Sequence, residues 1–490
     1  MRMKFALVGA LALPLFVSAH HPENAVQHRA RASTVTLVAG SASSSASGAL
    51  TVPASSSTES LTFSLLSTNP TAVPLVSIVS NASTQTTHAI STTYPADATQ
   101  TWVPSAPALP NAASLKPSNY PALDKTPPTD SDEVKAWIEE VYATGIEIPD
   151  IPVTNLGGCG NNTAAAANSS RCWWTCGGCT RDVDVTTCPT KEAWGLTYDD
   201  GPSPYTPDLL SYFDQKDLRG TFFVVGSRAI SRPAMLQDEY MMGNQIAVHT
   251  WSHPYMTTKT NEEVIAELGW TKKIIKDALG VTPIYWRPPY GDIDDRVRAI
   301  GLAMNLYPVI WTRISKTQTF DTGDYTLPSG STTAVEVLNN WEAIMNNSSQ
   351  IDTGFIVLEH DLFQQTVDIA VGYILPQALA HTPSFNITPV IECQDMPLSN
   401  AYIETNDNST NTLPLDAAKS IYPTNASATA AAASASAEAT GASGSSSAAG
   451  SEGSTSSGVS TSDAQGSTMV NAAVLTTVLS LVAGMTALLL

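Results

Sequence analysis

The chain has 490 residues, only 14% of them charged, with 24 Lys+Arg against 44 Asp+Glu for a formal net charge of −20. That balance excludes a nucleic-acid binder working through a basic face, because neutralising phosphates needs clustered Lys and Arg. A soluble domain carries about a quarter charged residues, so much of the length is neutral filler and the folded part is shorter than the chain.

Residues 1–19 read as a secretory signal: Arg2 and Lys4 precede an apolar run, 5–17, that is too short to span a bilayer, and Val17, Ser18 and Ala19 offer a cleavage site. Residues 20–125 are Ser, Thr, Ala and Pro with few charges and no sustained period, which predicts a coreless stalk or propeptide. Residues 126–189 hold one amphipathic helix, predicted over 129–142 from Val134, Trp137, Ile138 and Val141, and then a Cys/Trp-rich segment, 159–188, expected to form a small cap. Cys172, Cys176 and Cys179 have the spacing of a zinc cluster. Beside a secretory signal, however, six cysteines read as a disulfide framework, with Trp173 and Trp174 packing the cap. Connectivity does not follow from spacing; a Cys188–Cys393 staple closing the domain between them is the expected pairing.

From 190 to 395 short apolar β-type runs alternate with helix-period segments. Strands are predicted at 195–198, 221–225, 245–248, 284–286, 306–311, 355–358 and 388–391. Helices are predicted from Thr206 as N-cap with Pro207 at the first helical position, from the capping box Thr260-x-x-Glu263 to Gly280, and over 293–304, 333–345 and 367–379. The alternation implies one α/β domain, a distorted (β/α) barrel of about seven strands with disordered Ser/Thr/Ala-rich flanks; an open doubly wound sheet is the second choice, but no G-x-G-x-x-G follows a first strand.

In such a barrel the residues just after each strand converge on one face. Here they are the scarce polar ones. The first strand ends in Thr197-Tyr198-Asp199-Asp200, and the third runs into His249-Thr-Trp-Ser-His253. One carboxylate and two histidines make a three-ligand site with open positions, suited to Zn2+ or a similar divalent ion holding a water. Arg287-Pro288-Pro289-Tyr290 and Leu358-Glu359-His360 face the same mouth.

Beyond residue 395, a Ser/Thr/Ala-rich linker is expected over 396–468, followed by an apolar stretch ending at Leu490. With the small residues of 458–467 before it, this has the layout of a glycolipid (GPI) attachment signal, 469–490 being removed; a plain tail anchor is the alternative. The sequons Asn81, Asn161, Asn168, Asn346, Asn347, Asn386, Asn408 and Asn425 are candidate glycosylation sites, as expected of a secreted chain.

The ordered motifs between about 194 and 393 resemble the NodB-homology domain of polysaccharide deacetylases, carbohydrate esterase family 4, and the whole chain is similar to the GPI-anchored chitin deacetylases of fungi. The resemblance implies Asp199 as catalytic base, Asp200, His249 and His253 as ligands of one Zn2+ or Co2+ ion, and Arg287 as the residue holding the base. It further implies the Tyr290 backbone N–H at the oxyanion, His360 as general acid, Leu358 as a pocket wall and Asp324 as the residue orienting His360. Asp321-Thr322-Gly323-Asp324-Tyr325 departs from the family's D-x-x-D-W, so Tyr325 stands where a tryptophan lines the groove. The implied activity is removal of N-acetyl groups from N-acetylglucosamine in chitin, giving chitosan and acetate, in a secreted protein tied to the plasma membrane by a GPI anchor and to the cell wall. Peptidoglycan or acetylated xylan as substrate, and a non-catalytic wall mannoprotein, are the competing readings. A metal-free glycosidase would leave the histidines unused.

Overall fold

Parallel strands covered by helices on both faces are buried along their whole length rather than on alternate residues, and β3 Thr221–Val224 with β4 Gln245–Val248 follow that rule, every residue of both being buried. The structure is a computed structural model and describes residues 67–82, 89–90 and 92–422. The signal, Asn425 and the GPI-type tail therefore lie outside the described residues. The remaining strands are β1 Ala193–Gly195, β2 Thr197–Asp199, β5 Tyr285–Trp286, β6 Tyr307–Pro308, β7 Phe355–Ile356 and β8 Asn386–Thr388. All pairings are parallel, in the orders β2-β3-β4-β5-β6 and β7-β1-β8.

The first predicted strand is split between two sheets at Leu196. Its N–H donates to the Thr388 carbonyl at 3.0 Å and its carbonyl accepts from Thr221 N–H at 2.8 Å. Parallel bridges between Asp199 and His360 and between Asp321 and Leu358 carry pairing across the remaining gap, which closes a distorted barrel. The predicted strand at 388–391 is corrected: β8 ends at Thr388, Pro389 has no N–H to continue a ladder, and Val390–Cys393 is a helical turn.

The capping box at Thr260 and Glu263 opens the helix Asn261–Leu279, which stops at Gly280 in the left-handed conformation. A second box, Thr333 with Glu336, opens Ala334–Ser348. Thr206 is not an N-cap but the first residue of Thr206–Lys216; its hydroxyl accepts from Ser203 N–H and donates to the Asp361 carboxylate. Two helices unforeseen in the sequence, Gly226–Ser231 and Pro233–Met241, are buried nearly all round and so show no amphipathic period.

Cys188 is bonded to Cys393, Cys159 to Cys176 and Cys172 to Cys179, so the cysteine cluster is a disulfide framework. Trp173 and Trp174 are buried in the cap. Trp173 Nε1 donates to Asp292 at 2.7 Å, while Trp174 packs edge-on against Trp311 and over Gly291, where a β-carbon would come within 2.3 Å of its ring.

Two domain boundaries move. The described residues of 67–82 and 92–125, expected to lack a core, form a strap along the barrel with Ile78, Val103 and Leu109 buried. Trp102 lies under Arg219 at 4.4 Å, Tyr120 hydroxyl donates to Asp277 at 2.7 Å, and Trp137 of the helix Asp132–Ala143 packs edge-on against Trp270. The strap's apolar residues are too sparse to make a core alone; Ile78, Val103 and Leu109 instead pack into the core of the domain. At the other end, residues assigned to the linker are packed as far as Tyr422: Tyr402 is buried, Ile284 N–H donates to the Ala401 carbonyl, and Pro414–Ile421 is helical.

The described sequon asparagines are exposed, apart from the half-buried Asn347. Among the described residues no helix is long and apolar enough to cross a membrane.

If the strap belongs to the cooperative unit, Leu109→Ala lowers the free energy of unfolding by about 2–5 kcal/mol. Denaturant titration checks it; an unchanged midpoint would restore the stalk reading.

Candidate active site

Alternation along β2 sends Tyr198 outward against Phe213 and Phe222 and turns Thr197 and Asp199 into the barrel. There Arg287, which follows β5, donates from Nη1 to Asp199 Oδ1 at 2.7 Å and to Thr197 Oγ1 at 2.9 Å, its guanidinium lying 4.2 Å over the Phe223 ring. Burial pushes the Asp199 pKa up and Arg287 pulls it back; the balance stands at about 6.

The next residue has a different environment. Asp200 has φ 79, a left-handed conformation that aspartate tolerates better than most residues, and this swings its carboxylate toward the loop after β4. Asp200 Oδ1 lies 3.2 Å from His253 Nε2, 3.6 Å from His249 Nε2 and 3.4 Å from Arg228 Nη1. Burial alone would raise its pKa, but His253, Arg228 and the neighbouring histidines hold it well below the usual carboxylate range. His249 Nδ1 is 2.8 Å from the Arg287 carbonyl, which only accepts, so Nδ1 carries the hydrogen and Nε2 a lone pair. Burial, then the charge on His253, keeps the His249 pKa far below the imidazole range.

One ligand atom each from Asp200, His249 and His253 lie within 4.8 Å of one another, and Asp200 Oδ1 is buried without a hydrogen-bond partner. Lone pairs converging on a point with an orphaned carboxylate oxygen among them fit a divalent cation.

His360, opposite Asp199, is held by Asp324 twice: Nδ1 donates to Oδ1 at 2.8 Å and the backbone N–H to Oδ2 at 2.9 Å. Burial disfavours the imidazolium, but the Asp324 carboxylate outweighs it and pushes the pKa up to about 10. Leu358 is buried on the same strand end, its N–H donating to the Phe320 carbonyl.

Around the mouth stand tyrosines. Tyr290, at φ 60, is 43% exposed and stacks on Tyr255 with 3.9 Å between ring centroids, while Tyr325 is 45% exposed with its ring 5.3 Å from His360. The arrangement places flat apolar faces beside Asp199, His360 and the Asp200, His249 and His253 cluster. All the site residues expected from the sequence thus meet at one end of the barrel. Arg228, which also donates to the Asp200 carbonyl at 2.8 Å, and Tyr255 were not foreseen; nothing local in the sequence marks either.

Residues 186–309 match the family model described as polysaccharide deacetylase. The protein named chitin deacetylase 1 from Cryptococcus neoformans var. grubii is 52% identical over 353 residues, 71% of this chain and 74% of that protein. The chain belongs to the polysaccharide deacetylase family. Chitin deacetylase from Amylomyces rouxii is 38% identical over 269 residues, covering 52% of this deacetylase and 62% of its relative. Among solved structures, the chitin deacetylase of the fungal pathogen Colletotrichum lindemuthianum is 27% identical, with a TM-score of 0.39, covering 45% of this chain and 95% of that one. Deacetylases of this family use a divalent metal, and the Asp200, His249 and His253 cluster supplies a donor set for it.

The deacetylase should take up one divalent ion per chain, and His253→Ala should lose it on dialysis, read by metal analysis of the folded protein. Retention of stoichiometric metal by that variant would move the site elsewhere.

Proposed function

We propose that this deacetylase hydrolyses the N-acetyl groups of N-acetylglucosamine residues in chitin, releasing acetate and leaving chitosan, with Zn2+ or Co2+ held by Asp200, His249 and His253. The observation that carries it is the flanking of one cation site by two ion-paired groups of opposite character: the Asp199 carboxylate on the Arg287 guanidinium, with a pKa of about 6, and the His360 imidazole on the Asp324 carboxylate, with a pKa of about 10. At neutral pH the first is a base and the second an acid, the pair that amide hydrolysis needs.

A divalent ion held by Asp200, His249 and His253 would polarise the acetyl carbonyl and make nearby water more acidic. Asp199 accepts a proton from the attacking water as it adds to the carbonyl carbon, and Arg287 keeps the carboxylate ionised and aimed until then. The Tyr290 backbone N–H, presented by its left-handed turn, donates to the oxyanion that develops. His360, whose Nδ1–H is fixed on Asp324, transfers the Nε2 proton to the leaving nitrogen as the C–N bond breaks. Leu358 walls the acetyl pocket. Tyr325, smaller than tryptophan, together with Tyr290 and Tyr255, gives the sugar rings their stacking faces.

Secretion, a GPI anchor at the plasma membrane and residence in the cell wall complete the proposal. The signal-like residues 1–19, the small-residue and apolar C-terminal stretch, the exposed sequons and the three disulfides support it.

Asp199→Asn should cut acetate release from N-acetylglucosamine oligomers by about 100- to 10,000-fold while the protein keeps its metal; full activity would remove Asp199 from the reaction. Activity should fall as pH rises and His360 loses its proton near its pKa of about 10. Without the Asp324 charge that pKa drops, so the alkaline limb of Asp324→Asn should lie about 1–3 units lower. An unmoved limb in the pH–rate profile would assign the acid to another group.

A further inference from the structure

Between the two histidines of the cation site the chain turns abruptly. Thr250 and His253 sit at φ 64 and 59, left-handed conformations that are costly for residues with a β-carbon and most of all for a β-branched one. Such a turn persists only where its surroundings impose it. Thr250 Oγ1 accepts from His253 N–H at 3.0 Å, which ties the ends of the turn together.

The two residues within the turn are tied to a single side chain outside it. Trp251 N–H and Ser252 N–H both donate to Glu267 Oε2 at 2.8 Å, and the Ser252 hydroxyl donates to Oε1 at 2.5 Å. Glu267 is fully buried in the helix Asn261–Leu279. A carboxylate taken from water at such a place is costly unless donors are aimed at it, and all three donors come from the histidine turn. The Trp251 side chain is clamped as well. Its ring lies parallel to Tyr120 at 6.1 Å, its Nε1–H donates to the Ala122 carbonyl at 3.0 Å, and Gly226 leaves room where a β-carbon would approach within 2.6 Å.

We propose that Glu267 is a positioning residue for the cation site, fixing the turn so that His249 and His253 aim their Nε2 atoms at Asp200 Oδ1. The inference rests on the reading of these three side chains as metal ligands. Glutamine at this position keeps the shape but is uncharged and its amide nitrogen can only donate, so the two N–H groups are left on a weaker neutral acceptor and the Ser252 hydroxyl must reverse to accept.

The test is a titration of the full chain with Zn2+ against a competing chromophoric chelator, alongside thermal unfolding of the metal-free protein. Glu267→Gln should weaken Zn2+ binding about 10- to 100-fold, the range for groups that orient metal ligands, with Ser252→Ala a smaller loss in the same direction and Glu262→Gln on the same helix equal to the parent. A folded Glu267→Gln protein with the parent's Zn2+ affinity would overturn the proposal, since a merely structural role lowers the melting temperature without changing affinity. If Glu267→Gln does not fold, parental affinity in Ser252→Ala overturns it instead. A parent chain that binds no Zn2+ would defeat the metal reading itself. Acetate release plays no part in the readout, so failure of the proposed activity would leave this result standing.

Discussion

The buried guanidinium of Arg287 is the constraint on which the site depends. A fully buried cation costs several kcal/mol unless a partner and hydrogen bonds meet it, and here Asp199 and Thr197 do so from β2. The same residue's carbonyl receives His249 Nδ1–H, which leaves Nε2 as the lone pair facing Asp200. Arg287 therefore separates two adjacent carboxylates: one is held on the guanidinium, as the proposed base, and the other, turned away by its left-handed backbone, lies against the histidines.

Across the barrel the logic is repeated with the opposite sign. Asp324 stabilises a charged imidazole as Arg287 stabilises a charged carboxylate, so between about pH 6 and 10 both carry the protonation states that the proposed reaction needs. The parallel bridge between Asp199 and His360 sets their spacing through backbone pairing, not through flexible side chains. Chemistry and fold are thus coupled at the seam where the two sheets meet.

Features encoded within a few residues were legible in the sequence. The strand at 245–248, the capping box at Thr260 and the stop at Gly280 fall where their local chemistry requires. The convergence of Asp199, Asp200, His249, His253, Arg287 and His360 was legible for the same reason, each lying in a short motif at a strand end. What depends on distant partners was not. Arg228 and Glu267 reach the site from helices 28 and 15–16 residues away from the groups they hold, and neither has a local signature. The strap misled because composition reports whether a segment can build its own core, not whether its few apolar residues fill sockets elsewhere. The end of β8 was misplaced because Ile391 is apolar whether it lies in a strand or in the helical turn that Pro389 starts.

The account requires acetate chemistry and a bound divalent ion to be inseparable in this chain. The most direct test is acetate release from N-acetylglucosamine oligomers by the protein as purified, after metal is stripped with a chelator, and after Zn2+ is returned. Release should stop on stripping and recover on reconstitution, with the fold unchanged throughout. Undiminished acetate release from the stripped protein, or none from a folded, metal-loaded one, would contradict it.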